Sequence, residues 1–271
     1  MARFSVGDVE ELLFEAYPAT DALPDDRFGL LVGDRAAIVT RIAVALDQTV
    51  PTVEAAAAAG CNLLVAHHPG FFFKPESFLE APSAATADGA VVYRAAQKGV
   101  ALLTMHTNLD CAPSAARMLL EPVGLSFTGP LKPYGTGSLG QIAKPADERG
   151  YVVLEELARA YQQSLGRVAK VWGDPAKPLF SVAVCSGGAG EVVPDVVRAG
   201  IDCFITGELR HHEALYLADE NIALIELGHD VSELPYRFEL YKALTAAGFP
   251  PSDIVVLEPS ATWWQVGERE T

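Results

Sequence analysis

Thiols and positive charges are both in short supply. Only 4 of the 271 residues are cysteine, and 20 Lys plus Arg stand against 35 Asp plus Glu, a net charge of −15. Cys61, Cys111, Cys185 and Cys203 form no Cys-x-x-Cys pair, which excludes a cysteine-rich structural zinc site. Their apolar contexts argue for reduced, buried thiols in a cytoplasmic protein. Cys111 adjoins Asp110 and is the one thiol singled out for chemistry. So acidic a surface repels phosphate backbones and anionic membranes, and basic–aromatic interleaving is missing, so nucleic acid is not an expected partner. No apolar run approaches the roughly eighteen residues that a membrane span needs. The N-terminal Met-Ala-Arg-Phe-Ser-Val-Gly-Asp-Val-Glu offers no apolar signal core. A Gly-x-Ser-x-Gly nucleophile elbow is absent too, so nothing suggests a Ser-His-Asp arrangement.

What is present is a core-forming chain. Half of the residues are hydrophobic and 20% are charged, which excludes global disorder. At roughly 150 residues per domain, the length corresponds to just under two domains. Ser5 to Asp8 reads as an N-cap, and Val9, Leu12, Leu13 and Ala16 follow at helical spacing until Pro18. Strands are then expected at 42–46, 62–66, 100–105, 179–185, 203–206, 222–227 and 254–258. Helices are expected at 52–59, 84–97, 114–120, 154–165, 192–199, 211–219 and 232–247. Residues 127–150, rich in glycine and proline, read as a connection with room for one hairpin. Strands alternating with helices predict an α/β fold.

The two halves echo each other. Val44-Ala-Leu-Asp…Gly60-Cys-Asn-Leu-Leu-Val-Ala-His67-His68 is matched by Val182-Ala-Val-Cys…Gly200-Ile-Asp-Cys-Phe-Ile-Thr…His211-His212. Likewise Val100…His106-Thr-Asn-Leu-Asp110 is matched by Ile222…His229-Asp-Val-Ser-Glu233. All 6 histidines of the chain lie in these segments, each following an apolar strand. Ligands of open α/β sheets gather beyond the carboxyl ends of strands, so a shared site is expected there.

Imidazole with carboxylate and no thiolate suits a divalent ion such as Zn, Fe, Mn, Ni or Co. His67 and His68 are adjacent, so in an extended chain their rings point to opposite sides and are expected to serve two ions, one each. Pro69 holds His68 extended. His229 and Glu233 are four apart, which puts both on one face of a helix start. His106 and Asp110 repeat the spacing, but Thr107-Asn108 between them suggests a loop. Few protein donors per ion leave positions open for water, the style of a catalytic site.

Asp26-Arg-Phe-Gly29-Leu-Leu-Val-Gly-Asp34, Ala45-Leu-Asp47, Leu64-Val-Ala-His67-His68-Pro69, His106-Thr-Asn-Leu-Asp110, Val184-Cys-Ser-Gly-Gly-Ala-Gly190, Thr206-Gly207-Glu208…His211-His212 and Gly228-His229…Glu233 occur in this order. Together they resemble the Nif-three-like family of dinuclear metal proteins, also known as GTP cyclohydrolase I type 2 homologues. The resemblance covers nearly the whole chain, in a short form without the inserted domain of longer relatives. It implies two intertwined, duplicated α/β lobes with mixed sheets, lobe one over about residues 1–126 and lobe two over about 127–271. It implies two divalent metal ions per subunit, held by His67, His68, Asp110, His229 and Glu233, with Glu233 bridging. It also implies a ring-shaped homohexamer. His106 and Glu233 are the candidates for a catalytic role. The family's usual Tyr-Ala-Thr after Gly-His is here Asp230-Val231-Ser232, which adds a carboxylate beside the site.

Two functions follow. One is a metal-dependent hydrolase of a small molecule using metal-bound water, with GTP cyclohydrolase-like ring opening as one case. The other is a non-catalytic metal-binding or partner-binding hexameric ring. Ser186-Gly-Gly-Ala-Gly190 reads first as a tight strand-to-helix turn, lacking GxGxxG spacing and a Walker lysine. Phe71-Phe72-Phe73 and Trp263-Trp264 read first as packing, with subunit contact as the other role.

Overall fold

The computed structural model describes residues 4–80, 87–146, 148–259 and 263. Helix α1 (Val6–Ala16) opens on a reciprocal cap. The Ser5 hydroxyl accepts from the Asp8 N–H at 3.1 Å, and the Asp8 carboxylate accepts from the Ser5 N–H at 2.7 Å. Next come β1 (Gly29–Val32), β2 (Ile42–Asp47), α2 (Val50–Ala58), β3 (Leu63–His68), α3 (Ala87–Lys98) and β4 (Ala101–Thr104). Thr49 caps α2 by accepting from the Thr52 N–H, with Pro51 in the first turn. Then follow α4 (Thr107–Asp110), α5 (Pro113–Leu120), β5 (Leu125–Tyr134), β6 (Gly137–Pro145), β7 (Val152–Val153), α6 (Leu154–Leu165), β8 (Lys170–Trp172) and β9 (Pro178–Leu179). The chain continues through β10 (Val182–Gly188), α7 (Val193–Ala199), β11 (Cys203–Glu208), α8 (His211–Asp219), β12 (Ala223–Glu226), α9 (His229–Glu233), α10 (Tyr236–Ala246) and β13 (Ile254–Val256).

The described residues fall into two compact units. The first is drawn from Met1–Ala16, Asp25–His106 and Leu240–Thr271, the second from Tyr17–Pro24 and Thr107–Glu239. Both are α/β, and both carry a mixed sheet.

In the first unit the strand order is β1-β4-β3-β2-β13, with β1 antiparallel to β4 and the other pairings parallel. Alternate residues sort to opposite faces, as a period of two requires. Ala43, Ala45, Leu64, Ala66 and Leu102 pack with Val53 and Ala56 of α2 and Val91 and Ala95 of α3. Val44, Val65 and Leu103, in the other phase, are fully buried as well. A sheet covered on both faces needs such continuous apolar strands.

The second unit repeats the plan on a six-stranded sheet, ordered β5-β6-β10-β11-β12-β8, with β10, β11 and β12 parallel. Val182, Val184, Cys203, Ile205, Ala223 and Ile225 join Leu154, Leu157 and Tyr161 of α6 in one core. Ala183, Phe204 and Leu224 face the other way, onto Val193 and Val196 of α7 and Leu217 of α8. Each such fully buried Leu, Ile or Phe contributes roughly 1.5–3 kcal/mol, so the cores on its two faces fix this sheet in place.

Several elements differ from expectation, each for a physical reason. The one hairpin for which residues 127–150 left room is there, as β5 and β6, and it takes up most of the segment. Among the described residues β5 pairs only with β6, so the Pro130 and Pro133 backbone lies on an edge where a missing N–H is tolerated. Its turn is fastened by buried Asp21, which accepts from the Thr136 N–H at 3.0 Å. The helix expected over 232–247 is two helices, α9 and α10, because Pro235 interrupts it. Strands β1 and β8 are short and lack a long apolar run. Residues 84–86 of the helix expected over 84–97, and Trp264, lie outside the described residues, while Trp263 is partly exposed.

Candidate metal centre

In the first unit, three neighbouring parallel strands deliver their carboxyl ends side by side. β2 ends in Asp47, β3 in His67 and His68, and β4 leads through Met105 to His106. The turn after β3 is clasped by buried Gln48, which donates to the Leu103 carbonyl at 3.0 Å and accepts from the Gly70 N–H at 2.9 Å. Glycine is needed at position 70, since a Cβ there would meet Val91 Cγ1 at 2.9 Å.

The three histidines of this unit converge. Their ring centroids lie 4.7 Å (His67–His68), 5.3 Å (His67–His106) and 5.8 Å (His68–His106) apart. One nitrogen from each falls in a set whose members are all within 4.8 Å of one another. His67 and His68 therefore do not diverge as alternation along a strand predicts. The anchors explain why. His67 Nδ1 lies 3.0 Å from the Met105 carbonyl on the β4 side, and His68 Nδ1 lies 2.8 Å from the Asp47 carboxylate on β2. Each ring is tied on its outer flank, which turns the pair together. His106 Nδ1 meets Asp26 Oδ1 at 2.5 Å, and the Phe72 ring stands edge-on to His106 at 5.7 Å.

In the second unit α9 sets His229 and Glu233 on one face, with His229 Nε2 and Glu233 Oε2 3.3 Å apart. Glu233 is only 3% exposed. Two glycines admit α9 to the strand ends. A Cβ on Gly187, which has φ +61, would run into Glu233 Oε1, and one on Gly207 would meet the Ser232 hydroxyl at 2.7 Å. Ser232 Oγ accepts from the Gly187 N–H at 2.9 Å and donates to the His229 carbonyl at 2.8 Å. Gly187, near the end of β10, thus leaves room for Glu233.

Asp110 ends α4, so the His106-to-Asp110 stretch contains a helical turn and not the loop that Thr107-Asn108 suggested. Asn108 stabilises that turn by donating to the Tyr17 carbonyl at 2.8 Å. A carboxylate oxygen of Asp110 and one of Glu233 lie within 4.8 Å. Behind Asp110 stands a buried relay in which the Tyr236 hydroxyl donates to Ser186 Oγ at 2.5 Å and Ser186 donates to Asp110 at 3.5 Å. Burial, then the Asp110 charge, push the Tyr236 phenol well above its ordinary pKa, so it stays a donor.

This donor set fits a divalent cation. Two carboxylates so close, one of them buried, repel unless a cation or a shared proton lies between them. Imidazoles and carboxylates together suit the borderline first-row ions.

The remaining singled-out residues fall elsewhere. Cys111 is fully buried, and burial, then the charges of Asp110, Asp21 and Glu191, push its thiol up to about 12, so it is not a reactive thiolate. His211 and His212 open α8 as exposed residues, with His211 against Trp172 at 5.7 Å, rather than ending a strand as His67 and His68 do. Asp230 is half-buried in the first turn of α9 and belongs to none of the ligand clusters. Sequence reasoning did not pair Glu208 with a histidine, yet its Oε1 lies 3.0 Å from His229 Nδ1. It also passed over Asp26 and Asp47 as partners of histidine. The signal available for Glu208 was positional, since it ends six-residue β11 where His68 ends six-residue β3.

A family model described as Duf34/NIF3 (NGG1p interacting factor 3) matches residues 4–257. A GTP cyclohydrolase 1 type 2 homolog of Streptomyces coelicolor is 33% identical over 247 residues, covering 87% of this chain and 83% of that protein. One of Clostridium acetobutylicum is 28% identical over 228 residues, covering 82% of each. A hypothetical protein of Staphylococcus aureus shares the fold with a TM-score of 0.86 at 21% identity, covering 97% of this chain and 99% of that one. A Bacillus cereus protein related to NIF3 does so with a TM-score of 0.83 at 18% identity, covering 98% and 100%.

Proposed function

Because the chain belongs to the Duf34/NIF3 family, we propose that it is a dinuclear divalent-metal protein and a metal-dependent hydrolase of a small molecule. His67, His68, Asp110, His229 and Glu233 are the proposed metal donors. His106 and Glu233 are the candidates for a catalytic role. The observation that carries this reading is the convergence of three imidazoles at the ends of parallel strands, each with Nδ1 against an oxygen acceptor.

Divalent ions bound there supply Lewis acidity and activate water at neutral pH. The chain's own contribution is geometry. The Met105 carbonyl orients His67, Asp47 orients His68, and the Tyr236–Ser186 relay directs a donor at Asp110. Phe72 walls one side of His106, and Arg27 Nε donates to the Phe72 carbonyl at 3.2 Å. Ring opening of the GTP cyclohydrolase type, the activity in the relatives' names, is the reaction class to test first.

The test is a turnover screen of the metal-loaded chain against nucleotides, cyclic amides and phosphoesters, with His67→Ala as control. Metal-dependent turnover lost in the variant supports a hydrolase. Full metal loading without turnover supports the second reading, a non-catalytic homohexameric ring that binds metal or a partner. The exposed apolar side chains Phe72, Phe73, Phe78 and Leu79 favour that second reading, since they offer a surface to another chain.

A further inference from the structure

Each of the imidazoles named as donors, and that of His106, has an oxygen at Nδ1. For His67 it is the Met105 carbonyl at 3.0 Å, for His68 Asp47 at 2.8 Å, for His106 Asp26 at 2.5 Å and for His229 Glu208 at 3.0 Å. A carbonyl or an ionised carboxylate only accepts, so the nitrogen facing it must carry the proton. A neutral imidazole has one proton, and placing it on Nδ1 leaves the lone pair on Nε2.

At His229 this choice is contested. Glu208 lies on the Nδ1 side, while Glu233 Oε2 lies 3.3 Å from Nε2. Both carboxylates compete for the single ring proton. If Glu233 wins, the proton sits on Nε2 and the nitrogen aimed at the carboxylate ligand has no lone pair to give.

We propose that Glu208 is a positioning residue that holds the His229 proton on Nδ1 and so keeps Nε2 available to the cation. Asp47 and Asp26 do the same for His68 and His106. The second unit thus places an acceptor, Glu208, at the strand end where the first unit places a donor, His68. This rests on the metal reading above, yet it makes its own statement about the metal-free chain.

The test uses nitrogen-resolved NMR of the full-length, metal-free protein at about pH 9, well above the ordinary histidine pKa of about 6.5. The expected pattern is Nδ1–H at His229 in the unchanged chain and Nε2–H in Glu208→Ala. In Glu208→Gln, whose amide oxygen still accepts, Nδ1–H should be restored. His67 is held by a backbone carbonyl and should report Nδ1–H in all three, which shows that each variant is folded at the site. Zinc titration forms the second arm, with affinity falling by roughly 10- to 100-fold in Glu208→Ala and less in Glu208→Gln. An unchanged His229 tautomer in Glu208→Ala overturns the inference, whatever the zinc result. The expected tautomers in a chain that takes up no zinc support Glu208 as the proton's anchor and overturn the metal reading alone.

Discussion

Asp47 and His68 are register partners on neighbouring parallel strands, and the Asp47 carboxylate lies 2.8 Å from His68 Nδ1. Backbone pairing of β2 with β3 therefore brings the acceptor to the imidazole before any side chain is considered. The same pairing fixes where the ring can turn, because His67 is tied to the opposite flank of the strand by the Met105 carbonyl.

The purified or metal-reconstituted protein is expected to hold close to two first-row divalent ions per chain. Elemental analysis after reconstitution and desalting checks this, and a chain that retains none of Zn, Fe, Mn, Ni or Co contradicts it. His67→Ala should lose metal with the fold retained.

Glu233→Gln should damage metal binding more than Asp230→Asn. Glu233 is buried within 3.3 Å of His229 Nε2, whereas Asp230 is half-buried outside the ligand clusters. Removing the Glu233 charge leaves the cations less neutralised, and an amide is a poor bridge. The signature is loss of one or both ions in Glu233→Gln beside near-normal content in Asp230→Asn. Full loading of the first with an empty second would mean that the wrong carboxylate has been chosen.

Gly187→Ala should destabilise the protein by roughly 1–3 kcal/mol, the cost of a side chain in left-handed backbone. It should also weaken metal binding, since the new methyl group runs into Glu233 Oε1. Gly60, also left-handed but with nothing near its absent Cβ, is the control. Ala at position 60 should cost stability without touching metal content. Thermal melts paired with elemental analysis separate the two effects.

Alkaline pH should loosen the fold through Cys111. Its thiol is raised in the folded chain from about 9 to about 12, first by burial and then by the Asp110 charge. The unfolded chain thus gives up that proton at lower pH than the folded chain does. Stability from this group is complete below about 9 and is lost progressively as pH rises towards about 12. Melting temperatures between pH 8 and pH 11 should fall less steeply in Cys111→Ala than in the unchanged chain. Identical slopes would remove Cys111 from the explanation.

In solution the chain is expected as a homohexamer. Light scattering that returns a 28.8 kDa species at micromolar concentration would end that reading.

The sorting of alternate residues in Val182–Val184 and Cys203–Ile205 onto two cores is visible as plain apolar runs, so the α/β fold was readable from the chain. So was the His229–Glu233 pair, because four-residue spacing acts within one helix turn. What pattern reading missed depends on residues far apart in sequence. Asp26 reaches His106 across 80 positions, and Met105 reaches His67 across 38. Those distant anchors, not local spacing, decide that His67 and His68 turn towards each other. The β5–β6 hairpin was legible only as room for one, with no strand bounds, because Pro130 and Pro133 read as loop residues until an edge position is known. Pro235, by contrast, is a local signal that was there to be read and was passed over.

The pairing of β13 with β2, Ile254 against Ile42, bears on how the chain is made. Ribosomes add about 5–20 residues per second, so roughly 10–40 s separate the emergence of these two strands. Through that interval β2 presents an open, apolar strand edge beside β3, the kind of edge that recruits other chains. The first unit's sheet is therefore completed only after translation has passed through the whole second unit. Truncation before residue 254 should leave that edge permanently exposed and the product prone to aggregate.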